Sequence, residues 1–173
     1  MQRLITCILI LGFISATFNN AETQVKYFNV MDFGAHGDGT NSPNTDGFDI
    51  VGSKNVAIED STLATGDDCI AINGGCSYIN ATRLVCEGGH GISIGSLGRN
   101  QSHETVEEVH VWNCSFIDTT NGARIKTWPG GSGYARKITY EEIILEDVQN
   151  SIIIDQFYGI KTPNEVPNKV VYF

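Results

Sequence analysis

Side chains able to carry protons fall at matching places in successive stretches of this chain. Asp46 stands two residues before Phe48-Asp49-Ile50, Asp68 two before Ile70-Ala71-Ile72, and His90 two before Ile92-Ser93-Ile94, a step of 22 residues each time. Asp67 adjoins Asp68. Carboxylates and an imidazole held together suit acid–base hydrolysis: a protonated carboxyl protonates the leaving oxygen while an ionised one activates water. Neighbouring carboxylates also raise one another's pKa, which keeps one of them protonated. Taken alone, Gly66-Asp67-Asp68 reads as a polar corner, the commonest use of such a tripeptide. A lone histidine is, likewise, more often a hydrogen-bonded structural residue than a catalyst. The common register is what makes them a candidate site. In that register His90 stands one rung above Asp68, placed to tune its charge. The glycines of Gly89-His90-Gly91 allow close approach of a ligand or of backbone.

Arg124-Ile125-Lys126 sets two cations on one face of an alternating segment, with Ile125 on the other. Such a pair can be a solvated edge that guards against aggregation. It can also clamp carboxylates, arginine through bidentate bonds and lysine as a point charge. Ile125 falls in register with Ile94 and Ile72, so the cations share the side of the acidic ladder and the clamp is expected.

These residues need elements that bring them into a column. A fixed period in this range is the signature of a repeat architecture, and each core alternates with period two, as a half-buried strand does. If one repeat is one turn of a solenoid, equivalent residues stack about 4.8 Å apart, the spacing of neighbouring strands. An apolar marker extends the series. Leu63, Val85, Phe116 and Leu145 each stand seven residues before Ile70, Ile92, Ala123 and Ile152. The later steps are 31 and 29 residues, so insertions are expected, and in solenoids these form loops on one face, often the binding face. Further alternating pairs, Val56 with Ile58, Val109 with Val111 and Ile138 with Tyr140, give each turn at least two strands. Gly, Asp and Asn corners would separate them. The fold expected is an all-β, parallel β-solenoid of about four and a half turns. A β-sandwich also has short strands at regular spacing, but it does not require equivalent charged residues in successive units.

The remaining composition bounds the class. The chain has 173 residues, one domain at most. In residues 1–21, Arg3 precedes the apolar run Leu4 to Phe13 and a small-residue stretch ending at Ala21, the pattern of a secretory signal peptide. Residues 22–43 read as a leading strand and an irregular loop, and 44–173 as the solenoid that carries the site. Removal of 1–21 takes away Arg3 and no acid, leaving 10 basic against 20 acidic side chains. That balance argues against nucleic acid, and no other segment is apolar enough to span a membrane. An acidic substrate would have to be held by a few placed cations. Sequons at Asn80, Asn100 and Asn113 suit a secreted glycoprotein. Once Cys7 is lost with the signal, Cys69, Cys76, Cys86 and Cys114 remain. They allow three disulfide pairings, and the CxxC spacing of zinc sites is absent.

Asn44-Thr45-Asp46-Gly47, Gly66-Asp67-Asp68-Cys69, Gly89-His90-Gly91 and Arg124-Ile125-Lys126 resemble, in order and spacing, the signature motifs of the polygalacturonases. The strings GHGISIGSLGR and NGARIKTWPGGSGYARKI resemble the plant branch. The resemblance covers residues 26–40 and 42–160. It implies a right-handed parallel β-helix, secreted to the cell wall, that hydrolyses the α-1,4-galacturonan of pectin with inversion, as a monomer without metal or cofactor. It implies Asp67 as general acid, Asp46 and Asp68 as activators of water, and His90 as support for the acid's ionisation. Arg124, Lys126 and Tyr158 would bind substrate, and Cys69 with Cys86 matches the family disulfide. Family members commonly run to more than twice this length. Ser42-Pro43 leads directly into a motif that usually lies far downstream, and the chain stops at Phe173. A truncated form with fewer turns is therefore expected. The rival functions are a catalytically inactive pectin-binding or vestigial protein, and a lyase using the carboxylates to hold Ca²⁺.

Overall fold

The structure, a computed structural model, describes residues 44–160 and the backbone of 171–172. The predicted signal peptide and leading strand lie outside the described residues. The strands form three sheets. Sheet 1 holds β1 (Phe48–Ile50), β4 (Ile70–Ile72), β7 (Ile92–Leu97), β10 (Asn121–Thr127) and β13 (Asn150–Asp155). Sheet 2 holds β2 (Lys54–Glu59), β5 (Cys76–Thr82), β8 (His103–Trp112), β11 (Ser132–Glu141) and β14 (Val171–Tyr172). Sheet 3 holds β3 (Thr62–Ala64), β6 (Val85–Glu87), β9 (Ser115–Ile117) and β12 (Ile144–Glu146). The chain visits sheets 1, 2 and 3 in turn, and every pairing is parallel. This is a parallel β-helix: four coils of three strands, then β13 and β14. The alternating pairs in the sequence identify two strands per coil. The third, in sheet 3, is a three-residue strand around the apolar marker, too short to show alternation of its own.

Register follows the repeat. Phe48, Ile70, Ile92 and Ala123 are stacked partners, as are Ile50, Ile72, Ile94 and Ile125. In sheet 3 Leu63, Cys86, Phe116 and Leu145 form another column; Cys86, not the expected marker Val85, takes the second rung, and Val85 pairs with Thr62 and Ser115 one place aside. The columns face inward and fill the bore: Ile70, Ile72, Ile79, Ile92, Ile94, Val111 and Phe116 are fully buried. Each such side chain contributes about 1.5–3 kcal/mol by leaving water. At the last described coil the same columns end in exposed groups, Leu145, Ile152 and Ile154.

The corner between sheets 2 and 3 is turned in each coil by one residue with positive φ: Asp60, Arg83, Asn113 and Glu142. The N–H of Asp60, Arg83 and Asn113 bonds a carbonyl of the following coil. The inter-coil ladder holds this conformation even for Arg and Glu, so these corners depart from the expected Gly, Asp and Asn composition. The inserted residues of the longer coils lie at the corner between sheets 1 and 2. There β7 and β8 are lengthened and a 3-10 turn occupies Arg99–Gln101. Cys69 and Cys86 form a disulfide across a separation of 17 residues, tying the start of β4 to sheet 3. A loop of that size contributes on the order of 3 kcal/mol in the chain-entropy account. Cys76 and Cys114 are free and buried, and burial raises both thiol pKa values.

The columns predict a gradient of sensitivity. Ile94→Ala, at a fully buried position, should cost about 2–5 kcal/mol. Ile152→Ala, at a position 76% exposed, should change stability by less than about 0.5 kcal/mol. Urea denaturation of the two variants measures both. Equal losses would contradict an apolar column that ends at the last coil.

Candidate active site

The acidic residues sit where the chain turns from sheet 3 into sheet 1. Backbone bonds from Gly47 N–H to Asp68 O, Asp67 N–H to Thr45 O, and His90 N–H to Asp67 O continue the ladder through this corner. It therefore stacks Asp46, Asp68 and His90 as the 22-residue step requires. Beyond the strand the alternation lapses, and the side chains separate. Gly89 and Gly91 permit the stacking. Both have positive φ, and a Cβ on them would collide with Asp67 O and with Asn121 O respectively. The close approach expected of these glycines is made by backbone.

Asp68 is completely buried. Its Oδ1 accepts bonds from Ser93 Oγ at 2.8 Å and Arg124 Nη2 at 2.5 Å, and its Oδ2 accepts one from Lys126 Nζ at 2.7 Å. Arg124 Nε also donates to Ser93 Oγ at 2.8 Å. Arg124 and Lys126 project from β10 back across β7, spanning two coils. The Asp68 N–H is shared between Asp67 Oδ1 at 2.9 Å and Asp46 Oδ1 at 3.0 Å, so those two oxygens lie less than about 6 Å apart. His90 Nδ1 meets Asp67 Oδ1 at 2.8 Å. The ring's bond goes to Asp67, beside the position that register alone suggests.

Electrostatics separates the carboxylates. Burial raises the Asp46 pKa, and the nearby Asp68 and Asp67 raise it further. Asp67 and His90 keep part of their side chains open to solvent, 27% and 36%. Asp68, expected to activate water alongside Asp46, has its oxygens bonded by Ser93 and the two cations. Donor atoms of Asp67, Asp68 and His90 lie within 4.8 Å of one another, a grouping that could suggest a metal. The Asp68 oxygens, however, are already neutralised by Arg124 and Lys126, which leaves that grouping one carboxylate and an imidazole. The donor set does not fit the oxygen-rich shell of Ca²⁺.

Tyr158 follows β13, its N–H bonded to Thr127 O at 3.2 Å. Its ring lies 5.2 Å from Lys126 Nζ and packs edge-on against Trp128, with centroids 5.2 Å apart. A Cβ at Gly159 would strike the Trp128 ring, so the glycine gives the ring its place. The sequence did not single out Ser93, Trp128 or Arg99. Ser93 carried one usable signal, a hydroxyl in register with Arg124. Asn80, Asn100 and Asn113 are all exposed.

The profile of the glycosyl hydrolases, family 28, matches residues 18–172. The chain belongs to glycosyl hydrolase family 28. Family relatives include a probable polygalacturonase of Arabidopsis thaliana, 62% identical over 68% of this chain and 26% of the relative. A polygalacturonase of Chamaecyparis obtusa is 57% identical over 68% of this chain and 23% of its own. Among solved structures, the endo-xylogalacturonan hydrolase of Aspergillus tubingensis is similar with a TM-score of 0.64 and 34% identity, covering 67% of this chain and 32% of that one. The chain thus spans about a quarter of the length of these curated relatives.

Two expectations follow from the charge arrangement of this family 28 site. Asp68→Ala leaves two buried cations without their partner and should destabilise the fold by about 3–5 kcal/mol, read from denaturant midpoints. Asp46→Asn should instead raise the melting temperature at pH 7. The folded-state pKa of Asp46 lies above its ordinary value of 3.8, so the fold favours the uncharged form and loses stability as pH rises through that pKa. The gain over wild type should vanish below pH 3.8, where both folded and unfolded Asp46 are protonated. Melting curves at both pH values test the sign.

Proposed function

We propose that this chain is a polygalacturonase-type hydrolase that cleaves α-1,4-galacturonosyl bonds of pectin outside the cell. The observation that carries this reading is the shared Asp68 N–H, which holds Asp46 and Asp67 side by side while their surroundings differ. Asp67 accepts that N–H on Oδ1, which also pairs with His90 Nδ1. Its Oδ2 carries the proton for the leaving glycosidic oxygen. Asp46, its pKa raised by burial and by its acidic neighbours, acts as the base that removes a proton from the attacking water. Asp68 anchors the cations. A guanidinium has five N–H donors and an ammonium three, so Arg124 and Lys126 keep donors for a galacturonate carboxylate after bonding Asp68. Tyr158 lies against the same ammonium.

The inverting course comes from the family resemblance. The two carboxyls stand closer than the roughly 6.5–9.5 Å usual for inverting pairs, so the configuration of the first product is the direct check. Secretion is supported by the signal-like run in residues 1–21 and by the exposed sequons. No helix among the described residues is long and apolar enough to cross a membrane.

Purified protein given polygalacturonate should release reducing ends that do not absorb in the ultraviolet. The first product seen by NMR should be the β-anomer; an α-anomer would make Asp46 a nucleophile. Asp67→Asn should reduce turnover by about 10²–10⁴-fold. Because the water must meet an ionised Asp46, the acid limb of the pH–rate profile should lie above pH 3.8. Binding without turnover in folded wild-type protein would establish the non-catalytic alternative.

A further inference from the structure

A cation lies beyond the clamp, on the same side of the solenoid. Arg83, Arg124, Lys126, Arg136 and Lys137 each bond a carboxylate. Among the described residues, Lys54 and Arg99 are the basic side chains with no carboxylate partner. Lys54 belongs to sheet 2 of the first coil. Arg99 sits on the inserted corner after β7, exposed, with its guanidinium 5.6 Å from the centre of the Trp128 ring. From there the contacts run inward through rings: Trp128 against Tyr158, Tyr158 over Lys126 Nζ, and Lys126 on Asp68.

The corner is built to hold Arg99 there. Gly98 has φ of 82° and donates its N–H to Glu104 Oε2 at 2.6 Å, which turns that acid toward the loop backbone. Gly98 and Gly131 press together so closely that a Cβ on either would come within 2.7 Å of the other's Cα. Trp128 N–H bonds Leu97 O at 2.7 Å, locking the two inserted corners to each other. A cation stacked on an aromatic face within a braced corner loses little conformational freedom on binding. Ser93, beside the clamp, and Leu97 pair with Arg124 and Thr127 on β10, three strand residues apart, about 10 Å at the usual rise.

We infer that Arg99, positioned by Trp128, is a further carboxylate subsite that engages a galacturonate unit displaced along the chain from the one held by Arg124 and Lys126. This rests on the reading of the protein as acting on polygalacturonate. The site would thereby favour runs of unesterified uronate over short or methyl-esterified chains. In an otherwise strongly acidic protein, an exposed cation beyond the largely buried clamp offsets the repulsion of a polyanion.

The test is isothermal titration of the full chain carrying Asp67→Asn, so that ligand is not consumed, with galacturonate oligomers of two and six units. The Arg99→Gln change on that background should weaken the hexamer by about tenfold, the scale of one charge-assisted hydrogen bond, and leave the dimer within twofold. Arg99→Lys should recover part of the loss, and a fully methyl-esterified hexamer should bind the two backgrounds alike. A hexamer bound equally tightly with and without Arg99, or an equal loss for dimer and hexamer, overturns the subsite. If neither oligomer binds even with Arg99 present, the pectin reading fails and takes the subsite with it. If both bind and only the Arg99 dependence is missing, the failure is confined to the subsite.

Discussion

A carboxylate sealed from water and neutralised from two coils away is the contact on which the site depends. Asp68 on the second coil accepts from Ser93 on the third and from Arg124 and Lys126 on the fourth. Burying a lone charge costs several kcal/mol, and truncating one partner of such a group leaves that cost uncompensated. Satisfying it requires three coils to be in register at once. The long side chains of β10 bridge about two strand spacings, close to 10 Å, which a shorter cation could not. The same residue offers its backbone N–H to Asp46 and Asp67, so the proton-carrying groups are placed by the residue whose own side chain is shut away.

The scaffold supplies that register through equal winding. Stacked columns of isoleucine and valine fill the bore, and the inter-coil backbone ladder passes through the corners as well as the strands. Sheet 1 is continuous from β1 to β13. Its acidic margin lies at the entrance of the strands, Arg124 and Lys126 reach back to it, and Trp128, Tyr158 and Arg99 gather at their exit. The disulfide fastens Cys69, next to Asp68, to the adjoining sheet 3. Rigidity at that corner keeps like-charged carboxylates close, a geometry their mutual repulsion opposes and burial of Asp46 makes costlier.

Much of this was legible in the chain. The 22-residue step, the apolar markers and the charged residue before each strand core all express one fact: a solenoid must place the same kind of side chain at the same place in every turn. The resemblance of the motifs pointed to the family that the profile match shows. Less visible were the sheet 3 strands, whose three residues are too few to show a period. The corners turned by Arg83 and Glu142 were hidden as well, because their left-handed conformation is imposed by neighbouring coils against residue preference.

The residues alone determined which groups share a level and a side, because register is arithmetic on winding length. They could not decide which group each one touches. Arg124 bonds a carboxylate 56 positions away, Lys126 one 58 away, and His90 turns to Asp67 beside the residue that shares its rung. Those choices depend on side-chain reach, on which oxygens the corner buries, and on the lapse of alternation once the strand has ended. Packing in three dimensions settled them: a buried carboxylate must find its cations, and the one left at the surface keeps the histidine.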